Sequence, residues 1–514
     1  MTLTILFVFF AIFLFLNRRG SLLDRIPGPR TFAFSRWRLA LEDWKGTRTR
    51  KIYQLHQKYG PVVRIGPNEV SFNSPLALRT IYGAGSGFER TPFYRMFDVY
   101  GQQNLFTFHS VKEHAERKKL LAHAYSKSVM LNGPVAVMVE EKVKQYLDLL
   151  EREPDGISEI FSTLHYFSLD IITEFLYGRS GATSAMMGNK AHRALLNDIL
   201  DPARKRLSWF AVHLPMFTKW LYTRSGAVEI VLRPFLPMQK PTTYTGIRQH
   251  ALDAFHIFKS SQTKQNAERS SYQTIIERLW AHHQSQKPGG LKDMEIASEC
   301  ADHLLAGIDT TSDTLMFLIW ALSLPQNVKF QETLNEEVSC LTELSLNSGI
   351  PNADSCAKLR YLDAIIKETL RLYAPLPASE PRSSPIPSTI DTFEIPAGAC
   401  VSMSPYALHR NPDVFNDPLA FNPDRWLETS PEKLNEMKKW WWAFSSGGRM
   451  CIGIHLAMVE MTILAAAVYK KYRTSIAPSF VNATPGITSR FEVFYDEMFP
   501  NMAEHVCYIE FRKR

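Results

Sequence analysis

Cys451 lies in the run Phe444-Ser445-Ser446-Gly447-Gly448-Arg449-Met450-Cys451-Ile452-Gly453. Each neighbour has a purpose if the sulfur is a thiolate bound to the iron of a flat macrocycle. Glycines 447 and 448 permit a tight turn that aims amide N–H groups at the sulfur, and hydrogen bonds of that kind stabilise a thiolate. Gly453 keeps a side chain out of the space where the macrocycle would press against the backbone. The apolar helical pattern that starts near Ile452 brings the positive end of a helix dipole to the sulfur, which lowers a thiol pKa. Arg449 can reach a propionate on the ring's edge, and Phe444 can cover the sulfur's side of the ring. Two other fates compete. A lone cysteine in a glycine-rich turn is most often a buried free thiol. Cys451 with His455 is half of a zinc site, but zinc needs at least three protein ligands and no third is placed to complete it.

The ten residues match F-x-x-G-x-R-x-C-x-G, and at this heme-binding signature the chain resembles the cytochromes P-450. The resemblance implies heme b as cofactor, with Cys451 as an axial thiolate that pushes electron density onto the iron and favours O–O cleavage. Ala306-Gly307-Ile308-Asp309-Thr310-Thr311 is similar to the family's distal-helix motif. In that role Gly307 lets the helix widen locally, Thr310 hydrogen-bonds bound dioxygen and Asp309 passes protons inward. A mid-helix threonine otherwise bonds back to the carbonyl four residues earlier, here Ala306.

Glu368 and Arg371 are three apart on a helical pattern and share a face, a spacing that surface ion pairs also use. The resemblance makes them a buried network with Arg425 of Phe421-Asn422-Pro423-Asp424-Arg425-Trp426. A bidentate pair of this kind would hold the geometry of the cysteine loop rather than add stability. In His114-Ala115-Glu116-Arg117-Lys118-Lys119, many relatives carry Trp and Arg where this chain has His114 and Lys118. Lys118 and Arg382 are the further propionate contacts the resemblance implies, and each is otherwise an ordinary solvated charge. The motifs run in order from about residue 26 to 514, and with Tyr59-Gly60-Pro61 to Pro67 they look most like fungal microsomal members. Such members commonly tailor terpenoids, polyketides or alkaloids, an association with the fold rather than a property of the site.

The elements that must position these residues are mainly helical, with a small β-sheet region. Helical periodicity covers 135–150, 157–177, 294–323, 328–344, 359–372 and 452–472. Residues 61–72 alternate around Gly66-Pro67 and read as a hairpin, and 392–401 read as a second strand pair around Pro396-Ala397-Gly398. Two aromatic-rich stretches stand out as loops, 90–109 and 207–240. The second either dips into a membrane surface or forms a core helix pair bent at a proline.

Residues 2–16, TLTILFVFFAIFLFL, are apolar and followed by Arg18 and Arg19. At ~1.5 Å per residue they span roughly 22 Å, short of a ~30 Å hydrocarbon core, so the ends must snorkel or the bilayer thin. They lack a positive n-region and a cleavage site, which favours an anchor over a signal peptide. The expected division is an anchor at 1–19, a proline-rich hinge at 20–30 and one catalytic domain at 31–514. Arginines on the anchor's carboxyl side leave that domain cytosolic, which makes the chain a single-pass protein of the endoplasmic reticulum membrane. Six scattered cysteines argue against a disulfide framework. The net charge of +8 favours an acidic partner or membrane, while no zinc-finger or RNA-binding pattern supports nucleic acid.

The resemblance therefore implies a heme-thiolate monooxygenase acting on an apolar small molecule. Its electrons would come from an NADPH-cytochrome P-450 reductase, with cytochrome b5 as an auxiliary donor, and Arg117 and Lys118 would lie on the docking face. A heme-thiolate isomerase or dehydratase and a non-catalytic heme sensor are the rival readings. The Asp309-Thr310 pair, useless to either, argues against both.

Overall fold

The computed structural model describes residues 22–235, 243–262, 271–285, 290–345, 348–490 and 492–514. The anchor expected at 1–19 lies outside the described residues. Among those described, no helix is long and apolar enough to cross a membrane. The body is mainly helical, with four small sheets.

Its spine is the helix Asp293–Ser323. From Thr311 to Ser323 every residue is buried; Leu315 to Leu322 is apolar on all sides, as a helix inside a core is, whereas Thr311 to Thr314 are polar residues carried into the interior with it. The helix Ile160–Tyr177 packs along it. Gly307 lies at their crossing, where an added Cβ would come within 2.6 Å of the Ile172 side chain. The spine is an unbroken α-helix through this point. Gly307 thus allows two helices to approach closely, and the local widening expected of it is not present.

Helix boundaries follow local chemistry. The expected helix at 157–177 begins only at Ile160, because Ile157–Glu159 pair as a strand with Tyr508–Lys513. The Glu159 carboxylate then caps the helix, accepting from the amides of Phe161 and Ser162. Helix Arg360–Leu372 starts where the Glu337 carboxylate of another helix accepts the Tyr361 and Leu362 amides at 2.8 and 3.0 Å. Helix Val328–Ser339 stops short of the expected 344. Helix Ile454–Lys471 follows Gly453 and passes into the strand Tyr472–Ile476.

The hairpin read at 61–72 is present as Val62–Gly66 and Glu69–Phe72. These strands open a five-stranded sheet that continues through Cys400–Ser402, Arg382–Ser383 and Glu89–Arg90. The pair expected around Pro396-Ala397-Gly398 forms as two strands that do not pair with each other. Phe393–Ile395 joins Ser388–Ile390, while Cys400–Ser402 runs parallel to Glu69–Phe72. The proline-rich segment is docked rather than free: Leu23 and Ile26 are buried, and the Arg64 amide donates to the Pro27 carbonyl at 2.8 Å.

The stretch from 207 is helical as far as it is described, in Ala203–His213, Pro215–Thr223 and Ala227–Leu232. Trp209 Nε1 donates to the Ala40 carbonyl at 2.8 Å, which ties the first of these helices to the amino-terminal helix Trp37–Lys45. Met216, Ile230, Val231 and Phe235 project outward and are exposed, Met216 by 86%.

Candidate active site

The cysteine loop closes through a hydrogen bond from the Cys451 amide to the Phe444 carbonyl at 2.9 Å. Gly447 makes the turn. Its φ of +60° belongs to the left-handed region, and an added Cβ would meet the Tyr82 carbonyl oxygen at 2.3 Å. Gly448 carries no such constraint. The amides that serve the sulfur are those of Gly453 and Ile454, at the start of the helix behind Cys451, rather than the turn glycines. Desolvation by the surrounding protein raises the thiol, against lowering by these two amides and the nearby Lys118, while the residue stays accessible from outside. A bound heme iron would hold the sulfur as the thiolate. Gly453 presents no side chain, and a Cβ there would lie 4.0 Å from Cys451 Sγ. Among the described residues no group of three metal-ligating side chains exists, so the Cys451–His455 zinc alternative finds no third ligand.

Glu368, Arg371 and Arg425 form the network expected of them. Arg371 grips both oxygens of Glu368 at 2.9 Å, and both residues are fully buried. Glu368 also accepts from Arg425 Nε, Trp426 Nε1 and the Asn422 amide at 2.9–3.0 Å. The remaining guanidinium N–H groups of Arg371 donate to the carbonyls of His409, Pro418 and Ala420. The path to the cysteine loop then runs through His409, whose Nε2 accepts the Trp442 amide at 2.7 Å. Trp442 Nε1 in turn donates to Ser446 Oγ at 3.0 Å.

A cluster of cations lies beside the loop. Arg90 and Arg382 are direct partners on adjacent antiparallel strands, a pairing that is unfavourable for like charges. Arg382 is held by Tyr94 Oη at 2.6 Å and Glu380 at 3.2 Å. Arg449 donates to the carbonyls of Phe108, His109 and Ser110. Lys118 Nζ donates to the Gly448 and Met450 carbonyls at 2.9 Å, clamping the loop on either side of Arg449. The summed field is visible at His114. Burial, then Arg449, Arg90, Lys118 and Arg382, push its imidazole down to about 2. Glu380 is one carboxylate among these cations, and a ring carrying two propionates fits the charge they leave over.

Arg117, expected on an outer docking face, is buried and paired with the fully buried Glu299. His303 is tied into the same chain. Its Nδ1 lies 2.6 Å from Tyr125 Oη and its Nε2 3.3 Å from Glu299. Ala306, by contrast, is exposed in the middle of the spine helix, and Cys451 is also accessible.

Thr310 Oγ1 donates to the Ala306 carbonyl at 2.8 Å, the back-bond open to any mid-helix threonine. Asp309 is half-buried, with Arg204 Nη1 at 3.8 Å and His165 Nε2 at 3.8 Å. Burial raises its carboxyl, and Arg204 partly opposes this. Behind Arg204 opens a surface cleft of about 520 Å³ lined by Lys205, Thr488, Glu504 and His505.

A cysteine at a helix start, braced by a buried acid–guanidinium network, flanked by a cluster of cations and accompanied by an acid–alcohol pair, is the arrangement of a heme-thiolate protein. The cytochrome P-450 family model matches residues 27–484. The cytochrome P-450 monooxygenase stcB of Emericella nidulans is 30% identical over 458 residues, covering 87% of this chain and 82% of its own length. The cytochrome P-450 monooxygenase aflV of Aspergillus parasiticus is 30% identical over 481 residues, 89% of this chain and 86% of its own. That named tazI from Aspergillus terreus is 28% identical over 492 residues, 93% and 91%. The chain belongs to the cytochrome P-450 family and is a monooxygenase whose cofactor is heme iron.

Arg90, His409 and Trp442 were not legible in the sequence. Arg90 gains its meaning only from the strand register that sets it against Arg382, and His409 from a contact that closes over 33 residues of chain.

Proposed function

We propose that this monooxygenase inserts one oxygen atom of dioxygen into an apolar small molecule of fungal secondary metabolism, a terpenoid, polyketide or alkaloid. Its electrons come from an NADPH-cytochrome P-450 reductase, with cytochrome b5 as auxiliary donor. It works on the cytosolic face of the endoplasmic reticulum membrane, held by residues 1–19. The bound heme supplies dioxygen activation. The observation that carries the reading is that Asp309, next to Thr310 on the spine helix, lies 3.8 Å from Arg204, which lines the cleft; a carboxyl there can exchange protons with solvent and hand them inward. An isomerase or dehydratase has no use for such a route. Relatives that are fungal monooxygenases over most of their length support the metabolic setting. Outward-facing Met216, Ile230, Val231 and Phe235 support a membrane-facing side. With Arg117 buried, exposed Lys112, Lys119 and Lys438 are cations that could meet an acidic reductase.

The test is expression with a reductase under isotopically labelled dioxygen, supplied with candidate metabolites. One labelled oxygen atom per product molecule is expected, and unlabelled rearranged product would overturn the reading. Thr310→Ala should keep heme binding while diverting NADPH from product to hydrogen peroxide, because it removes the only hydroxyl at that position of the helix. Unchanged coupling would make Thr310 purely structural.

A further inference from the structure

Asp313 lies one turn beyond Asp309 on the same helix face, and His165 of the facing helix stands between them, with Nε2 3.8 Å from each carboxylate. Asp313 and His165 are buried, and neither Asp313 Oδ1 nor His165 Nε2 has a hydrogen-bond partner among the described residues. The tautomer follows from chemistry. His165 Nδ1 lies 2.7 Å from the Phe161 carbonyl, which can only accept, so Nδ1 carries the ring proton. Nε2 of the neutral ring is then a bare lone pair facing two carboxylates. With nothing to donate between them, Asp313 Oδ1 and His165 Nε2 are left unsatisfied in a desolvated site.

Charge gives the same answer. The groups facing the cluster are Arg204 from the helix Ala203–His213, Tyr244 bonded to that guanidinium, and His505 with Glu504 and Lys205 at the cleft. Arg204 is the cation in contact with Asp309. With both aspartates ionised and His165 neutral, one negative charge is left over in the interior. Burial and Asp309 hold the Asp313 carboxyl well above its usual range, and burial pushes His165 down to about 3. A single added proton satisfies the lone pair and neutralises the cluster at once.

We propose that Asp309, His165 and Asp313 hold one proton in common, and that this store, refilled from the Arg204 cleft, replenishes the proton Asp309 passes towards Thr310. The supply role rests on the monooxygenase reading, in which substrate, dioxygen, two electrons from NADPH and two protons give hydroxylated product and water. Asp313 and His165 act through Asp309 and are positioning residues. The cleft is close to the cluster: Arg204, 3.8 Å from Asp309, lines it, and one ring, Phe161, lies between His165 and His505.

The test uses the full-length heme-loaded protein, comparing wild type with Asp313→Asn, Asp313→Glu and His165→Phe. Infrared spectra in water and deuterium oxide at neutral pH should show a protonated carboxyl band in wild type that is lost in Asp313→Asn and returns in Asp313→Glu. With reductase and NADPH but no added substrate, dioxygen uptake in Asp313→Asn and His165→Phe should fall roughly tenfold, less than the ~100-fold or more of a group that transfers the proton itself, because both act through Asp309. Its solvent isotope effect should rise and its pH profile should shift. An unchanged carbon monoxide spectrum shows that the thiolate site is intact, so a merely structural defect would appear there instead. A band that survives in Asp313→Asn overturns the shared proton. Uptake, isotope effect and pH profile equal to wild type overturn the supply role. A wild type that takes up no dioxygen overturns the monooxygenase reading and the supply role together, while the infrared band still decides whether the proton is shared.

Discussion

At the scale of single residues, chemistry-bearing positions split into those with a sequence pattern and those without. Cys451, Arg449, Glu368, Arg371 and Arg425 could be singled out because each sits in a short motif; Glu368, Arg371 and Arg425 meet in one buried network, while Arg449 bonds the carbonyls of residues 108–110. His165 and Asp313 could not, since their significance arises only where two helices face each other. Glu368 accepts five hydrogen bonds, so Glu368→Gln leaves two guanidinium groups facing a neutral amide. A broken buried pair costs about 3–5 kcal/mol, and the denaturant midpoint should fall accordingly with loss of the thiolate-type carbon monoxide band. His409 offers a pH-resolved test. Burial, with Arg371 and Arg410, holds its imidazole down to about 3, against 6.5 for the free group. The unfolded chain therefore takes up a proton below pH 6.5 that the folded chain refuses. The stability this group contributes is complete above 6.5 and is lost as pH falls towards 3. The stability gap between wild type and His409→Gln should narrow by about 1.4 kcal/mol for each pH unit below that value, and a gap constant with pH would contradict it.

At the scale of elements, periodicity located the long helices but not their ends, because the ends are decided by distant caps such as Glu337 and by strand pairing such as Ile157–Glu159 with the carboxyl-terminal strand. It also could not show that the strands flanking Pro396-Ala397-Gly398 would part into different sheets, since a turn signal gives a change of direction and not a partner. Gly307 shows the same limit: a glycine before Asp309 and Thr310 suggested a loosened helix, and the structure shows a tight crossing. Gly307→Ala should cost about 1–3 kcal/mol by overpacking, and Ile172→Ala should restore part of it because it removes the atoms a Cβ would strike. A double-mutant cycle measures this coupling, and additive effects would show that the crossing has slack.

At the scale of the molecule, deleting residues 1–25 should move the protein from the membrane towards the soluble fraction. The exposed apolar side of Met216, Ile230, Val231 and Phe235 should leave it partly detergent-dependent. A truncated protein wholly retained after a carbonate wash would assign the anchoring to that side instead. Arg90 and Arg382, opposed across a sheet with Arg449 and Lys118 nearby, bear on biogenesis as well as on catalysis. Glu380 cancels only part of the repulsion among these cations, so binding of a doubly anionic ring should stabilise the folded chain. Cellular yield should therefore follow the host's supply of tetrapyrrole. Chains that fold ahead of that supply are the ones quality-control proteases remove.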